Sequence, residues 1–144
     1  MVQPVFVNLP VADVPRATAF YETIGCTMNR QFSGPTASAM VWSEALTFML
    51  LDRAFFQTFT PRAVADASAV TEVLIALPLA DRAAVDALVD KAVAGGGSGD
   101  IHPVQDMGFM YGRSFTDPDG HIFEPFHMDM AAAAAAMEAA ADPV

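Results

Sequence analysis

A near-repeat of five residues constrains the fold of this chain more than any other feature. "LPVAD" occupies residues 9–13 and "LPLAD" occupies residues 77–81. An ungapped comparison of residues 5–25 with residues 73–93 extends the similarity, because the positions before each motif are apolar in both copies. Such internal repetition is typical of a fold built from copies of one structural unit. We therefore expect two similar modules in tandem.

Each copy predicts a strand followed by a helix. An apolar run rich in β-branched residues leads into a proline, which cannot donate to a central ladder and therefore ends the strand. Asp13 and Asp81 follow at the N-cap position, where a carboxylate accepts hydrogen bonds from free backbone N–H groups. Apolar residues then recur at helical spacing, and Gly25 and the run at residues 95–100 end the two helices.

The rest of each copy predicts further strands. In the first half, "TMNRQF", "ASAMVW" and "ALTFMLL" are typical of strands, with a tight turn at residues 43–44. In the second half, "GFMYGRSF" and "HIFEPF" flank a strong turn signal, Asp-Pro-Asp-Gly, and a shorter strand is expected around residues 100–104. The predicted plan is β-α-β-β-β twice, within one α+β domain that comprises module 1 (about 4–52), a linker (53–70), module 2 (about 71–128) and an alanine-rich helical tail (130–144).

The composition excludes two classes of partner. Seven Lys and Arg residues against seventeen Asp and Glu residues give a formal charge of −10. Nucleic acids and anionic membrane surfaces are bound through clusters of basic residues, so we predict neither partner. No apolar run approaches the roughly 20 residues of a membrane span, and the N-terminus lacks the pattern of a secretory signal. The single cysteine, Cys26, cannot form an internal disulfide, which favours a cytoplasmic protein.

The tandem plan resembles that of a known superfamily. With "LPVADVPRATAFYETIG" and "SFTDPDGHIFEPF", the chain is similar over residues 4–128 to the vicinal oxygen chelate superfamily, which includes glyoxalase I, bleomycin-resistance proteins and extradiol dioxygenases. The resemblance implies that each module curves into a half-barrel and that paired modules enclose a cavity. It also implies a homodimer, because members of this superfamily are commonly dimers.

The resemblance further implies where a metal is held in the metal-dependent members. Their four ligands come from the first and last strands of each module, and the corresponding positions here are Phe6, Met49, Leu74 and Glu124. Three of the four are apolar, whereas Zn, Ni, Mn and Fe need nitrogen, oxygen or sulfur donors, with thioethers serving chiefly soft ions. We therefore predict no cofactor, and a divalent metal only if the ligands are displaced to other residues.

Strand alternation predicts which side chains line the cavity. If the family positions face inward, Phe6, Asn8 and Leu74 do so, and a hairpin around the Asp-Pro-Asp-Gly turn pairs Glu124 with Ser114. A carboxylate in such a place has few solvating groups and can serve as a general base, or it can be a structural group bonded to Ser114 or water. Glu124 is accordingly the candidate catalytic residue. The predicted ligand-binding residues are Phe6, Asn8, Met49, Leu74, Met110, Gly112, Ser114 and Phe126.

Other conspicuous side chains have ordinary interpretations. Alternation places His121 and His127 on the strand face opposite Glu124, and His102 falls in an exposed loop, so structural or surface roles are expected for all three. For Arg113 we expect an ion pair on the outer face, with a ligand anchor as the alternative. The phenylalanines of the linker, at positions 55, 56 and 59, pack on the core, line the cavity mouth or contact a second subunit.

These observations favour one function and leave two alternatives. The apolar family positions favour a protein that binds a small organic molecule without the usual metal, as bleomycin-resistance proteins do. The first alternative is a metal-dependent lyase or dioxygenase whose ligands are displaced. The second is metal-independent proton chemistry, such as isomerisation, at Glu124.

Overall fold

The computed structural model describes residues 2–141. Met1 and residues 142–144, the end of the predicted tail, lie outside the described residues. The first module contains β1 (Val5–Val11), α1 (Val14–Thr23), β2 (Thr27–Met28), β3 (Ala37–Ser43), β4 (Leu46–Asp52) and α2 (Arg53–Gln57). The second contains β5 (Leu74–Pro78), α3 (Arg82–Ala94), β6 (Ser98–Gly99), β7 (Gln105–Asp106), β8 (Met110–Gly112), β9 (Phe115–Thr116), β10 (Ile122–Met128) and α4 (Met130–Ala141).

Each module forms its own curved sheet, which confirms the predicted α+β fold of tandem modules. The first sheet has the order β1-β4-β3-β2, with β1 parallel to β4 and the other pairs antiparallel. In the second sheet, β10 pairs in parallel with β5 on one side and antiparallel with β8 and β9 on the other. β1 and β5 therefore lie at corresponding edges of the two sheets. Among residues 2–141, no helix is long and apolar enough to cross a membrane.

The helices begin where the sequence predicts. The Asp13 carboxylate accepts a hydrogen bond from the N–H of Arg16 at 3.0 Å, and that of Asp81 accepts one from Ala84 at 2.8 Å. Such caps are each worth about 1 kcal/mol, since they satisfy N–H groups that have no partner within the helix. The repeated aspartates thus give both modules the same strand-to-helix junction.

Two predicted strands differ from the structure. "GFMYGRSF" is divided into β8 and β9, on either side of residues 113–114. Arg113 donates its N–H to the carbonyl of Pro125 at 3.1 Å, but Pro125 has no N–H to return, so the ladder is interrupted there. The strand predicted around residues 100–104 is wrong, because these residues form the loop between β6 and β7. Asp100, with a φ of 51°, turns the chain out of the extended conformation at this point.

The first strand after α1 is also shorter than predicted. "TMNRQF" gives β2 at Thr27–Met28 and then a short 3-10 helix at Arg30–Phe32. The side chain of Asn29 accepts a hydrogen bond from the N–H of Gln31 at 3.1 Å. This local bond offers the backbone an alternative to the ladder and ends the strand.

The two modules share one core in which aromatic rings from both sheets meet. Phe48 of β4 lies 5.5 Å from Phe123 of β10 between ring centroids, and Phe123 stacks on Phe115 at 5.1 Å. All three side chains are fully buried. Aromatic pairs of this kind contribute about 0.5–1.5 kcal/mol each beyond the burial of their surface. The core therefore contains buried rings from both modules, and their contacts join the two sheets.

Strand alternation leaves the opposite face of each sheet open. In β1, Leu9 and Val11 are buried in the core, whereas Phe6 is 58% exposed on the other face. In β5, Leu77 is buried and Leu74 is 53% exposed. The positions at which the family carries metal ligands thus lie, as predicted, on the face that points away from the core.

Candidate functional site

The segment that joins the modules is folded over β1 as an ordered cover. We call residues 58–73, between α2 and β5, the strap. Arg53 donates from its guanidinium to the carbonyls of Val64 and Ala65 at 3.1 and 3.2 Å. Gln57 donates from its side-chain amide to the carbonyls of Thr60 and Arg62 at 3.0 and 2.7 Å. Backbone groups of the strap therefore find partners on α2, which holds its first half in place.

The second half of the strap is held by the hairpin turn between β9 and β10. Gly120 has a φ of +96°, the left-handed conformation that glycine adopts at little cost. A Cβ built at this position would come within 2.7 Å of the backbone nitrogen of Ser68. The turn and the strap thus pack backbone against backbone, which requires glycine on the turn side.

A cavity lined by aromatic side chains lies under the start of the strap. It has a volume of about 490 Å³. We call it the aromatic cavity, and it is lined by Phe6, Val7, Asn8, Leu51, Phe56, Phe59 and Thr60. Phe59 is 69% exposed and stands 5.1 Å from the ring of Phe55, edge to face. Phe56 and Phe59 line this cavity, and contact of the linker phenylalanines with a second subunit stays a prediction.

A second cavity lies further along β1, where β1, β5 and the start of β10 meet beneath the strap. Its volume is about 470 Å³, and we call it the strap cavity. Its apolar walls come from both modules and from the strap itself: Val7, Leu9, Phe56, Val64, Val70, Val73, Ile75 and Ile122. The sequence gives no sign of this cavity, because it is formed by the path of a segment without regular secondary structure.

The open face of the second sheet carries a histidine–glutamate pair. Nε2 of His102 lies 3.0 Å from Oε2 of Glu124, and both side chains are about 30% exposed. Nδ1 of His102 lies 3.1 Å from the carbonyl oxygen of Pro103. A carbonyl oxygen can only accept, so Nδ1 carries a proton, and Nε2 donates to the Glu124 carboxylate when the ring is the doubly protonated imidazolium. The hydrogen bond to the carbonyl of Pro103, together with the bond to Glu124, raises the pKa of His102 above its usual value despite partial burial.

The loop that carries His102 is fixed over the sheet by a buried serine. Oγ of Ser114 accepts a hydrogen bond from the N–H of Ile101 at 3.0 Å and a longer one from that of His102 at 3.4 Å. Ser114 is fully buried. Phe115 pairs with Phe123, so continuing this register by one residue places Ser114 beside Glu124 on the same face. Its hydroxyl therefore positions the histidine that contacts Glu124, and it does not itself serve as the partner that we expected for Glu124.

His102 is the residue that sequence reasoning missed. Its position in a loop predicts a surface role, yet the side chain reaches across the sheet to Glu124. The signal lay in the residues around it, since Asp100 has a positive φ and both of its carboxylate oxygens bond to Arg113. These two hydrogen bonds hold the start of the loop against Arg113. The Arg113 ion pair on the outer face, which the sequence predicts, is thus part of what places His102.

The other two histidines have the structural roles that were predicted. His121 donates from Nε2 to the carbonyl of Pro10 at 2.8 Å, and His127 donates from Nδ1 to that of Leu79 at 3.0 Å. The first bond ties the turn before β10 to Pro10 within β1, and the second ties β10 to Leu79, the residue that follows β5. Neither histidine contacts Glu124 within residues 2–141.

The structure divides the predicted ligand-binding residues between the two sheets. Phe6 and Asn8 line the aromatic cavity, and Met49 pairs with Asn8 in the first sheet without lining either cavity. The remaining residues lie on the second sheet, where their pairings are Leu74 with Ile122, Gly112 with Phe126, and Met110 with Met128, while Ser114 packs as described above. A role in ligand binding remains a prediction for each of them.

The four family positions do not fit a divalent metal of the usual kind. Phe6 and Leu74 provide no donor atom, and Glu124 is engaged by His102. Among residues 2–141, no group of three or more His, Cys, Asp or Glu side chains is arranged to hold a metal ion. Histidine and one carboxylate would leave such an ion mostly to water or to groups from elsewhere.

Comparison with known proteins gives one match to a family model and several similar solved structures. Residues 3–41 match the family model of the bleomycin resistance protein-like N-terminal region. No curated protein sequence matches the chain. A hypothetical protein from S. aureus, SA1046, shares 27% identity with a TM-score of 0.73, over 88% of this chain and 94% of its own.

Two further solved structures have the same fold at lower identity. A glyoxalase/bleomycin resistance protein/dioxygenase family enzyme from Burkholderia phytofirmans PsJN is 18% identical, with a TM-score of 0.70 over 85% of this chain and 96% of its own. TnmS3, an antibiotic binding protein from Streptomyces sp. CB03234, is 20% identical, with a TM-score of 0.58 over 89% and 97%. The N-terminal match and the shared fold agree with the resemblance to the vicinal oxygen chelate superfamily, and the two structures of lower identity show the fold alone.

Proposed function

We propose that this chain, which has the fold of the glyoxalase and bleomycin-resistance proteins, binds a small organic molecule in the aromatic cavity. The observation that carries the proposal is the position of Phe6. Where the metal-dependent relatives place a ligand atom, this chain places an exposed ring that lines a cavity with Phe56 and Phe59. A volume of about 490 Å³ falls in the range of sites for small molecules.

The chemistry of the walls indicates the kind of molecule. Aromatic rings favour a flat ligand that stacks or packs edge to face against them. Covering about 150 Å² of apolar surface stabilises a complex by about 4 kcal/mol, before the cost of association is subtracted. Asn8 adds a side chain that both donates and accepts hydrogen bonds. The antibiotic-binding neighbour TnmS3 supports small-molecule binding on this fold.

The test is a titration with 2-naphthol, a flat probe, followed by two-dimensional NMR of the labelled protein. We expect chemical-shift changes at β1 and α2 and a dissociation constant that rises at least fivefold in Phe59→Ala. Phe32→Ala is the matched control, because Phe32 is 62% exposed but lies in the 3-10 helix away from the cavity. Equal affinity in Phe59→Ala and the unchanged protein contradicts the proposal.

A second candidate function rests on the His102–Glu124 pair. Two groups that exchange protons lie 3.0 Å apart on the open face of the second sheet, which suits metal-independent proton transfer to and from a bound substrate. The metal-dependent lyase or dioxygenase with displaced ligands is the other alternative. We therefore propose measuring metal content after reconstitution with Ni, Zn, Mn and Fe(II). Retention of one metal per chain, lost in Glu124→Gln, favours the metal enzyme over the binding protein.

We also propose a homodimer, which the unpaired edges of the two sheets support, and a cytoplasmic location, which the single cysteine supports. β1 and β5 each pair with a neighbour on one side only within residues 2–141. Phe6 and Leu74, on these strands, leave more than half of their surface exposed. Sedimentation velocity at several concentrations tests this, and a species of monomer mass throughout the micromolar range contradicts it.

A further inference from the structure

The aromatic cavity and the strap cavity have part of their walls in common. Asn8 and Phe56 line both, together with Val7 and Thr60. The two spaces therefore adjoin along β1, one toward its beginning and the other toward its end.

We propose that the two cavities are the two halves of one site, and that its ligand is an elongated molecule with two apolar parts joined by a polar group. This inference rests on the proposed function of the aromatic cavity. Each half has a volume of nearly 500 Å³, which accommodates a ring system, and a single small ring system therefore leaves the other half empty.

The walls of the strap cavity indicate an uncharged, aliphatic or bulky second part. Apart from Phe56, its apolar lining is aliphatic, and Val70 and Val73 are each 55% exposed. Covering such surface is favourable by about 25 cal/mol for each Å². Arg62, Glu72 and His121 also line this cavity. The opposite charges of Arg62 and Glu72 select neither an anion nor a cation, and His121 is bonded to the carbonyl of Pro10.

Asn8 is placed to recognise the polar group in the middle. It is exposed near the centre of β1, and it lines both cavities. Its carboxamide offers two donors and one acceptor to a linking N–H, ether or carbonyl group. An apolar group at this point would leave the carboxamide without a partner, which costs about 1–3 kcal/mol when the site is closed to water.

The strap is also organised before a ligand arrives. Arg53 and Gln57 hold its first half through four hydrogen bonds to its carbonyls, and the turn at Gly120 packs against Ser68. Binding beneath an ordered segment avoids the entropy cost of closing a loose loop. An elongated ligand therefore gains binding free energy from the second half of the site without the entropy cost of ordering the strap.

The experiment compares two probes of different length. N-phenyl-1-naphthylamine has two ring systems joined by an N–H group, whereas 2-naphthol occupies one half only. Val70→Trp fills the strap cavity, and we expect it to weaken the long probe at least tenfold and to leave 2-naphthol unchanged. Val64→Trp provides the same test from another point of the strap. Val93→Trp, on an exposed position of α3 outside both cavities, is the control and should change neither affinity.

The polar centre is tested separately with Asn8→Leu, which keeps the size of the side chain. We expect it to weaken N-phenyl-1-naphthylamine at least threefold. If both strap variants fold and bind the long probe as the unchanged protein does, the two cavities are independent and the inference is wrong. If 2-naphthol also fails to bind the unchanged protein, the proposed function is wrong and this inference with it. If Phe59→Ala weakens the binding of 2-naphthol but the strap variants do not weaken that of N-phenyl-1-naphthylamine, the inference alone is wrong.

Discussion

The hydroxyl of Tyr21 donates a 2.7 Å hydrogen bond to Oδ2 of Asp117, and this bond connects α1 of the first module to the hairpin turn of the second. Both side chains are buried. The other carboxylate oxygen of Asp117 accepts from the N–H groups of Asp119 and His121 at 3.0 and 2.9 Å. The motif "FYETIG" and the turn "TDPDG", which carry the resemblance in the sequence, are thus bonded to one another in the fold.

Tyr21→Phe is predicted to destabilise the protein by about 1–3 kcal/mol, because it leaves a buried carboxylate oxygen without a donor. The free energy of unfolding in urea measures this loss. Tyr111→Phe is the matched control, since the hydroxyl of Tyr111 bonds to the half-exposed Asp86 and water can replace it. Equal losses in the two variants contradict a special role for the bond between the modules.

Cys26 is predicted to be almost unreactive while the protein is folded. Burial raises the pKa of its thiol to about 12, so that very little thiolate is present near neutral pH. A rise of about three units lowers the thiolate fraction about a thousandfold, and the thiolate is the reactive form. The rate of reaction with a disulfide reagent at pH 8, with and without urea, measures this. Comparable rates in the two conditions contradict the prediction.

Much of the fold could be predicted because local signals agree with global packing. Asp13 and Asp81 cap helices in both copies of the repeat, and Gly120 turns the hairpin that the Asp-Pro-Asp-Gly sequence indicates. Strand alternation also gave the faces of β1 and β5 correctly, since one face packs on the core and the other does not. The interruption at Pro125 was missed because the missing N–H acts on the neighbouring strand, which the local pattern does not record.

The candidate site was predictable only in part, because much of it is made by segments without periodic structure. Phe6 and Asn8 follow from alternation along β1 and do line the aromatic cavity. The positions of His102 and the strap do not follow from alternation, because the path of a loop depends on bonds between distant residues, such as those between Asp100 and Arg113. A periodic pattern describes one element at a time, whereas these contacts join residues that are far apart in the chain.

His102 is predicted to titrate above the usual imidazole range. The hydrogen bond to the carbonyl of Pro103 is the largest cause of its raised pKa, and the bond to Glu124 adds to it. The stability that this contributes is fully present below the pKa of about 6.5 of an unfolded-state histidine, and it is lost as the pH rises through the folded-state pKa. NMR of the ring nitrogens against pH measures the midpoint, which should fall in Glu124→Gln. A midpoint that does not respond to this variant contradicts the contribution of Glu124.

Gly120→Ala is predicted to destabilise the protein. The added methyl group would lie 2.7 Å from the backbone nitrogen of Ser68. The φ of +96° at position 120 would also strain any residue other than glycine. Backbone strain of this kind costs about 1–3 kcal/mol, and here the turn or the strap must also move. Gly34→Ala is the control, because nothing lies within 4 Å of its Cβ position and its φ is not in the left-handed range.

The two glycine variants also separate stability from the shape of the site. We expect Gly34→Ala to change the free energy of unfolding in urea by no more than about 0.5 kcal/mol, the range of surface substitutions. Gly120→Ala should lower it and shift the amide resonances of residues 66–70, because the strap rests on the turn. If Gly120→Ala destabilises the protein without moving those resonances, the turn absorbs the strain alone, and the strap is not held by it.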